Sequence, residues 1–374
     1  MNREKIFNIF VFLSTLARSL VDVFIPIILY NKGVEIKYII FFMLLNYSLC
    51  FMFNVPLGYI GKKISFKWAM IITSFMIGIS YYFLLMVKLD IISLLLFALF
   101  HVINTQTYWL SRNYYALEIL PKRNFADEVG NIIIFSTLAV IPVSYVGALL
   151  MNNLEMELVL VIVVFLYMIS IVPLFKLVEK KKGFTLGIIQ SAKNIIVDMS
   201  RRSLLFMLLA QFRVIIRYIF PLFLFVYIKN NYEYIGIFNI SVGIASTFFV
   251  YFFARKMDRD KKDYLILSGI LGCLVYLFKL NIVDTSLMLL IGLCEGLADK
   301  MYEVAFNRNI FALGHKFEDA GYTVVVEGVQ NISRIVILLI FVLLGVDLKT
   351  ILYISSFMLI ITGLIGFNDG KGGY

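Results

Sequence analysis

The sequence predicts an all-α protein that crosses a membrane many times, and three observations lead to this fold class. Of the 374 residues, 61% are hydrophobic and 16% are charged, whereas soluble globular chains average about 45–50% apolar and 25% charged residues. The mean hydropathy is +0.91. The apolar residues also fall into long runs, and a membrane helix needs about 20 of them in succession. The chain can therefore form twelve membrane helices and has no room for a large soluble domain.

Polar and charged residues separate twelve apolar segments, each of which we interpret as one membrane helix. The segments lie near residues 6–30, 37–61, 68–87, 91–116, 128–150, 157–178, 203–228, 233–254, 264–281, 286–312, 320–345 and 348–367. An even number of crossings places both termini on the same side of the membrane.

The distribution of basic residues indicates which side that is. With the N-terminus in the cytoplasm, the inner loops hold 21 of the 34 Lys and Arg residues. The opposite face holds only Lys32, Lys37, Lys88, Lys229, Lys279 and Lys349. Cytoplasmic loops carry such an excess of basic residues, so we expect a multi-pass plasma-membrane protein with both termini inside. The net charge of +10 then fits attraction to the inner leaflet, and no nucleic-acid partner is expected.

A long basic connection in the middle of the chain divides it into two halves. It runs from Lys176 to Arg202 and carries three consecutive lysines at 180–182. Its weakly amphipathic part predicts a helix on the inner membrane surface. We expect an N-terminal six-helix bundle at 1–185, a cytoplasmic linker at 186–202 and a C-terminal six-helix bundle at 203–374.

The two halves resemble each other when one is shifted by about 196 residues along the other. Three short patterns recur at nearly this offset and at the same places in the helix order. They are Arg112 to Leu117 with Arg308 to Leu313, Arg18 and Pro26 with Arg213 and Pro221, and Tyr38-Ile39 with Tyr234-Ile235. The sequence therefore predicts two parallel repeats of six helices.

Two such halves, cytoplasmic termini and a basic central loop resemble the major facilitator superfamily of transporters. The family's best local signature is a Gly, Asp-Arg, Gly-Arg-Arg loop between helices 2 and 3, often repeated between helices 8 and 9. The first copy here, residues 58–67, keeps Gly58 but has Lys62 where the family has Asp. The second copy, residues 254–262, keeps Asp258 but lacks both glycines. The resemblance implies alternating access and a central cavity lined by helices 1, 4, 7 and 10.

Charged residues inside the apolar segments are the candidates for function, since a charge at the centre of a bilayer costs at least about 2.5–3.5 kcal/mol. Many share one side of a helix because they recur every four residues. We predict that the substrate and proton pathway comprises Arg18, Asp22, His101, Asn104, Tyr108, Arg213, Arg217, Glu295, Asp299 and Glu303. A carboxylate beside an Arg, in a cavity that alternates between wet and dry, can gain and lose a proton.

A second group of charged residues suits gating or structural pairs between helices. It comprises Arg112, Arg308, Glu327, Arg334 and Asp258. Interhelical ion pairs that only fix packing remain an alternative for each of the buried charges, and a hydrogen-bonded cavity wall remains one for His101.

Other kinds of site have little support in the sequence. The chain has three cysteines, all within apolar runs, and two histidines, so a disulfide framework or a metal cluster is not expected. It lacks a P-loop, an H-E-x-x-H and a G-x-S-x-G motif. We therefore expect no cofactor and no enzymatic activity, with an ion gradient, preferably of protons, as the energy source.

The sequence thus predicts a monomeric secondary transporter, surrounded by membrane lipids, that moves a small molecule by alternating access. A cavity that mixes charges of both signs with aromatic rings suits an amphiphile, so we expect a proton-coupled exporter. Two alternatives stay open: a lipid or glycolipid flippase, and a transporter-like sensor or immunity protein that binds its ligand without moving it. The sequence leaves the sign of the substrate's charge undecided.

Overall fold

A computed structural model describes residues 3–87, 91–119, 125–178, 188–228, 231–260, 264–281, 285–317 and 321–367. Within these ranges the regular structure is helical. The N-terminal half contains α1 (Arg3–Ser19), α2 (Ile25–Asn31), α3 (Ile36–Ile64), α4 (Phe66–Met86), α5 (Ile91–Ile119), α6 (Phe125–Asn153) and α7 (Met156–Phe175). The connection between the halves contains α8 (Ile188–Asp198). The C-terminal half contains α9 (Arg201–Leu209), α10 (Gln211–Phe223), α11 (Tyr232–Asp260), α12 (Leu265–Lys279), α13 (Thr285–Phe317), α14 (Gly321–Leu344) and α15 (Leu348–Phe367).

Ten helical stretches in the described ranges are long and apolar enough to cross a membrane, with α1–α2 and α9–α10 each counted as one stretch. The predicted ninth segment is the apolar but short α12, of 15 residues. The predicted tenth segment lies in α13, a 33-residue helix that carries Glu295, Asp299, Lys300 and Glu303. The all-helical membrane fold is therefore confirmed, while twelve crossings and cytoplasmic termini stay predictions.

The first segment is interrupted, which the hydropathy pattern did not predict. The chain leaves α1 at Ser19, forms a 3₁₀ turn over Asp22–Phe24 and begins α2 with Pro26 near its N-terminus. Proline has no N–H to donate to the preceding turn but fits the first turn of a new helix. The break places Arg18 and Asp22 at the interruption, beside the cavities described below.

Corresponding helices make corresponding contacts in the two halves. In the N-terminal half α1 packs against α6 and α7, while α5 packs against α3 and α4. In the C-terminal half α10 packs against α14 and α15, while α13 packs against α11 and α12. The halves meet mainly along α6 with α11 and along α3 with α14. The domain boundaries at 185 and 202 stay predictions.

The predicted interfacial helix corresponds to α8, which packs against both α3 and α14. Its Ile195, and Met199 just beyond it, are buried in the core, whereas Ile189 and Val197 are exposed. The helix is therefore amphipathic and contacts both halves. The lysines at 180–182 lie outside the described residues.

The first copy of the loop motif forms the tight turn between α3 and α4. Ser65 adopts a left-handed φ of 86° there and caps α4 through Trp68 N–H. The Lys67 ammonium donates to the carbonyls of Phe175 and Leu177, at 3.2 and 3.1 Å. A cation at a helix C-terminus is stabilising, so Lys67 links this turn to the end of α7.

Candidate functional site

A central cavity of about 360 Å³ lies between the two halves. Its walls come from α1, α5 and α6 on one side and from α10, α11 and α13 on the other. Six of the residues predicted for the pathway line it, namely Arg18, Tyr108, Arg217, Glu295, Asp299 and Glu303. Arg112 and Lys300 line it as well.

A cluster of five charged groups forms the C-terminal wall of this cavity. Asp299 pairs with both Arg213 and Arg217. Glu303 Oε2 accepts from Nη2 of each of these arginines at 3.0 Å and from Lys300 Nζ at 2.7 Å. The i,i+4 spacing of Asp299 and Glu303 on α13, and of the two arginines on α10, brings the four side chains together. The acidic residues of α13 and the arginines of α10 thus lie against each other.

Glu295, one turn before Asp299, has a separate partner that was counted among the basic residues of the outer face. Lys279, at the end of α12, is 0% exposed, and its Nζ lies 2.5 Å from Glu295 Oε2. Tyr276 donates to the other carboxylate oxygen at 2.8 Å. The Lys279 ammonium also lies 3.3 Å from the centre of the Phe220 ring. The count of basic residues placed Lys279 on the outer face, and the structure places it at the C-terminal end of α12 with its side chain buried in the protein.

Arg18 is the main charged group of the N-terminal wall. Its guanidinium lies 3.9 Å from the ring centre of Tyr108, and its Nη2 donates to Asn104 Oδ1 at 3.0 Å. Asn104 in turn donates to the carbonyl of Thr73 at 3.0 Å, so it positions Arg18 and does not line the large cavity. In the other half Arg213 lies 5.2 Å from the ring centre of Tyr302, a similar Arg–Tyr arrangement.

A second cavity, of about 160 Å³, lies within the N-terminal half and touches α10. Asp22 and His101 line it, and Arg18 and Trp109 line both cavities. Asp22 accepts a hydrogen bond from Tyr81 at 3.4 Å. The buried Nδ1 of His101 has no hydrogen-bond partner in the part of the chain that the structure describes. All ten predicted pathway residues therefore lie at or beside these two cavities.

The charges around the central cavity are not balanced. Its C-terminal wall brings together four cations, Arg213, Arg217, Lys279 and Lys300, and three carboxylates, Glu295, Asp299 and Glu303. The N-terminal wall adds Arg18 and Arg112. Sequence analysis left the sign of the substrate open because it could not place these groups relative to the cavity.

The residues predicted for gating are arranged differently from the expectation. Glu327 does not pair with Arg334 within the described ranges; it accepts from Asn113 of the other half at 2.7 Å. Arg334 donates to Gln211 Oε1 at 2.8 Å and to two amides of its own helix. Arg112 lies 5.0 Å from the ring centre of Trp109 and lines the cavity.

The structure gives less information about the other two residues predicted for gating, Arg308 and Asp258. Arg308 is partly buried on α13. The side chain of Asp258 lies outside the described part of the structure. Within the described residues, no group of three His, Cys, Asp or Glu side chains is arranged to hold a metal ion.

A buried chain of amides joins the two halves, and sequence analysis missed most of it. Asn54 donates to the Val324 carbonyl at 2.7 Å, Gln106 donates to Asn54 at 3.0 Å, and Asn331 donates to Gln106 at 3.3 Å. Arg334 donates to Asn331 at 3.2 Å. The sequence signal for this chain of amides was the presence of Asn and Gln in apolar segments. The prediction rested mainly on charged residues and therefore missed it.

Comparisons with known proteins agree on the fold. The family model described as the Major Facilitator Superfamily matches residues 7–336. The human organic anion transporter MFSD10 (TETRAN) has a similar structure, with a TM-score of 0.68, 12% identity and coverage of 97% of this chain and 98% of that one. A bacterial homologue of the iron transporter ferroportin, in an outward-facing state with soaked iron, gives a TM-score of 0.71 at 13% identity and covers both chains fully. No curated protein sequence matches significantly.

Proposed function

Because the chain belongs to the Major Facilitator Superfamily, we propose that it is a monomeric secondary transporter that moves a small amphiphilic molecule across the membrane by alternating access. The central cavity is the observation that carries this proposal. It lies between two halves with corresponding helix contacts, and charged groups from both halves line it. Such a site can face either side of a membrane when one half rocks against the other.

Hydrogen bonds link the two halves toward both ends of the membrane helices in this conformation. At the end where α1 begins, Asn113 donates to Glu327 at 2.7 Å. At the opposite end, Asn31 donates to Tyr232 at 2.7 Å, and Asn152 donates to Glu233 at 3.1 Å. Two of these three hydrogen bonds end on a glutamate, and a hydrogen bond contributes about 0.5–3 kcal/mol, so either set can break at moderate cost. Breaking one set while the other stays intact would expose the cavity to one side.

The partners of the carboxylates support Glu295 as the group that carries the coupling proton. Asp299 and Glu303 are held by arginines, and an arginine does not release its proton in proteins. Glu295 is held by Lys279 and Tyr276, and a buried lysine can become neutral. A proton can therefore enter or leave the Lys279–Glu295 pair without exposing an unpaired guanidinium.

The two structural neighbours differ in function, one being an organic anion transporter and the other a homologue of an iron transporter. At these identities the likeness concerns the fold alone, so the cargo has to be argued from the cavity. Export remains our proposed direction because a site that mixes charges with aromatic rings suits an amphiphile. A lipid flippase is the alternative that the experiment below separates from it.

The test is proton movement in sealed liposomes that hold the purified protein and a trapped pH-sensitive dye. A pH gradient is imposed, and benzenesulfonate, benzyltrimethylammonium, benzyl alcohol and a panel of sugars are added in turn. We expect at least one compound to dissipate the gradient with wild-type protein and with Glu155→Gln, an exposed control, but not with Glu295→Gln. Vesicles of defined protein orientation give the direction. If no compound moves protons while a fluorescent lipid crosses the bilayer, the flippase alternative replaces this proposal.

A further inference from the structure

We propose that the cargo of the central cavity is an organic anion whose acidic group binds the guanidinium groups of Arg18 and Arg112. The inference rests on the proposed transport function and names its substrate class. It follows from the pairing of every charged group that lines the cavity.

The three carboxylates that line the cavity already have cationic partners. Asp299 and Glu303 are held by two arginines and Lys300, and Glu295 is held by Lys279. Four cations thus surround three carboxylates in the C-terminal wall. This wall offers no free carboxylate to a cationic cargo, and it adds positive charge to the cavity.

The two arginines of the N-terminal wall have no carboxylate within 4 Å in the described part of the chain. Arg18 is 9% exposed, and its buried Nε has no hydrogen-bond partner among the described residues. Its nearest acid along the chain, Asp22, lies one turn away, accepts from Tyr81 and lines the second cavity. Arg112 is partly buried and lies over Trp109. Both side chains line the same cavity.

Asp22 interacts with Arg18 and Glu327 interacts with Arg112 through space, but neither carboxylate forms an ion pair with its arginine in the described ranges. Cations in a membrane interior are costly, and a bound anion lowers that cost. Arginine suits the purpose because its planar fork binds a carboxylate, sulfonate or phosphate through two parallel hydrogen bonds. Asn104 and Tyr108 already fix the Arg18 side chain in place. The Arg18 guanidinium is therefore held in place at the cavity wall, where it can bind an acidic group without first having to be ordered.

The rest of the cavity fits an apolar body attached to that acidic group. Trp109, Phe220, Pro221 and Phe238 line it together with the arginines. The Trp109 side chain is 37% exposed, so its ring is available to a ligand. A volume of about 360 Å³ lies within the usual range of small-molecule sites, about 300–1,000 Å³. An aromatic anion matches both walls.

The chain allows a direct binding test because it contains only two tryptophans. Trp68 is exposed on α4, where it packs against Phe175, away from the central cavity. Trp68→Phe therefore leaves Trp109 as the sole indole, and its fluorescence reports occupancy of the cavity. Three probes share one aromatic ring and differ in charge: benzenesulfonate, benzyl alcohol and benzyltrimethylammonium. We expect a saturable response to benzenesulfonate and none, or a much weaker one, to benzyltrimethylammonium.

The variants test the arginines in the Trp68→Phe background. Loss of one charge-assisted contact should weaken benzenesulfonate binding about tenfold or more in Arg112→Gln and in Arg18→Gln. Arg112→Lys should bind more tightly than Arg112→Gln. Arg201→Gln, at an exposed position on α9, is the matched control and should bind as the parent does. Each variant is compared by thermal unfolding, and Arg112→Gln decides the matter if Arg18→Gln fails to fold.

The source of the anion is decided by measuring binding in nanodiscs of phosphatidylcholine with and without phosphatidylglycerol. If phosphatidylglycerol competes with benzenesulfonate, the site binds a lipid phosphate. If it does not compete, the site binds a soluble anion. An equal response to benzyltrimethylammonium, no response to benzenesulfonate, or unchanged binding in Arg112→Gln would overturn the inference. Proton-coupled transport of a cation or a sugar in the liposome assay would still support the transporter, so the two proposals fail separately.

Discussion

Lys279 Nζ lies 2.5 Å from Glu295 Oε2, and the lysine side chain is fully buried. The rings of Phe220, Phe238 and Tyr276 surround the ammonium, with centroids 3.3, 4.6 and 4.6 Å away. The pair links α12 to α13 beside the central cavity. A charge pair this deeply buried is costly to form and more costly to break in half.

The first prediction concerns the stability of this pair. Lys279→Met leaves Glu295 without its cation, and breaking a buried pair in this way costs about 3–5 kcal/mol. The double variant Lys279→Met with Glu295→Leu removes both charges and should recover most of that loss. Thermal and denaturant unfolding in detergent give the values. If Lys279→Met unfolds like the wild type, the two groups do not form a buried pair.

The second prediction concerns the close approach of α6 and α11. A Cβ at Gly236 would lie 3.0 Å from Ala148 Cβ and 3.0 Å from the Ser144 carbonyl oxygen. Gly236→Val should therefore separate the halves at the end opposite the N-terminus. Cross-linking by a short bismaleimide between Asn31→Cys and Tyr232→Cys, in a cysteine-free background, should fall several-fold.

Gly78 supplies the control for that experiment. A Cβ there would meet only the Val164 side chain, at 3.5 Å, which is ordinary contact. Gly78→Val should leave the cross-linking yield unchanged. An equal fall in both variants would mean that the change acts through general helix destabilisation rather than through the α6–α11 contact.

The third prediction concerns the amide chain between α3, α5 and α14. Asn331→Leu removes a donor to Gln106 and an acceptor for Arg334, and an unsatisfied buried polar group costs about 1–3 kcal/mol. The loss falls on contacts between the halves, so the closed conformation should become less populated. The population of the closed conformation is measured by bismaleimide cross-linking of Asn113→Cys to Glu327→Cys, and the yield should fall in Asn331→Leu.

The control for that variant is an asparagine that bonds only within its own helix. Asn153 is exposed and donates to the Leu149 carbonyl at 2.8 Å. Asn153→Leu should leave the cross-linking yield unchanged. If Asn331→Leu also leaves it unchanged, the amide chain does not hold the halves together.

The fourth prediction is a pH dependence at the start of α15, outside the membrane-spanning segments. Hydrogen bonds from Thr350 lower the pKa of Asp347, whose Oδ1 accepts from Thr350 N–H at 3.3 Å. A lowered pKa stabilises the fold above the unfolded pKa of about 3.9, and this contribution is lost as the pH falls through the folded value. Because the carboxyl is largely exposed, the effect stays below about 1 kcal/mol.

Asp347→Ala tests this prediction. The variant should lower the unfolding temperature slightly at pH 7 and by less at pH 3, where the wild-type carboxyl is itself partly protonated. Asp347→Asn keeps a capping oxygen, so its unfolding temperature at pH 7 should lie between those of the wild type and Asp347→Ala. An equal loss at both pH values would contradict a role for the charge.

The helices and much of the site could be predicted from the sequence because burial in lipid imposes a strong pattern. The segment at 37–61 corresponds to α3. The i,i+4 spacing predicted one shared face for Asp299 and Glu303, and these side chains lie against Arg213 and Arg217 in the structure. Hydropathy averages over many residues, so it could not locate the break between α1 and α2. Pro26 was the local signal for it.

The partners of individual charges could not be predicted in the same way. Lys279 lay at the outer end of the predicted segment 264–281, and no feature of the sequence indicated that its side chain is buried against Glu295. Glu327 and Arg334 share a side of α14, but contacts from other helices, including Asn113 and Gln211, satisfy them. The partner of a buried charged side chain depends on which helix packs against it. A single sequence does not show which helices pack together.

The most direct test of alternating access is a pair of distance measurements by pulsed electron spin resonance in nanodiscs. Labels at Ile64 and Arg201 report the end where α1 begins, and labels at Asn152 and Asn231 report the opposite end; all four positions are exposed. The pH and the benzenesulfonate concentration are varied. We expect that when the distance between the labels at one end increases, the distance at the other end decreases or stays short. Two fixed distances, or two that lengthen together, would contradict it.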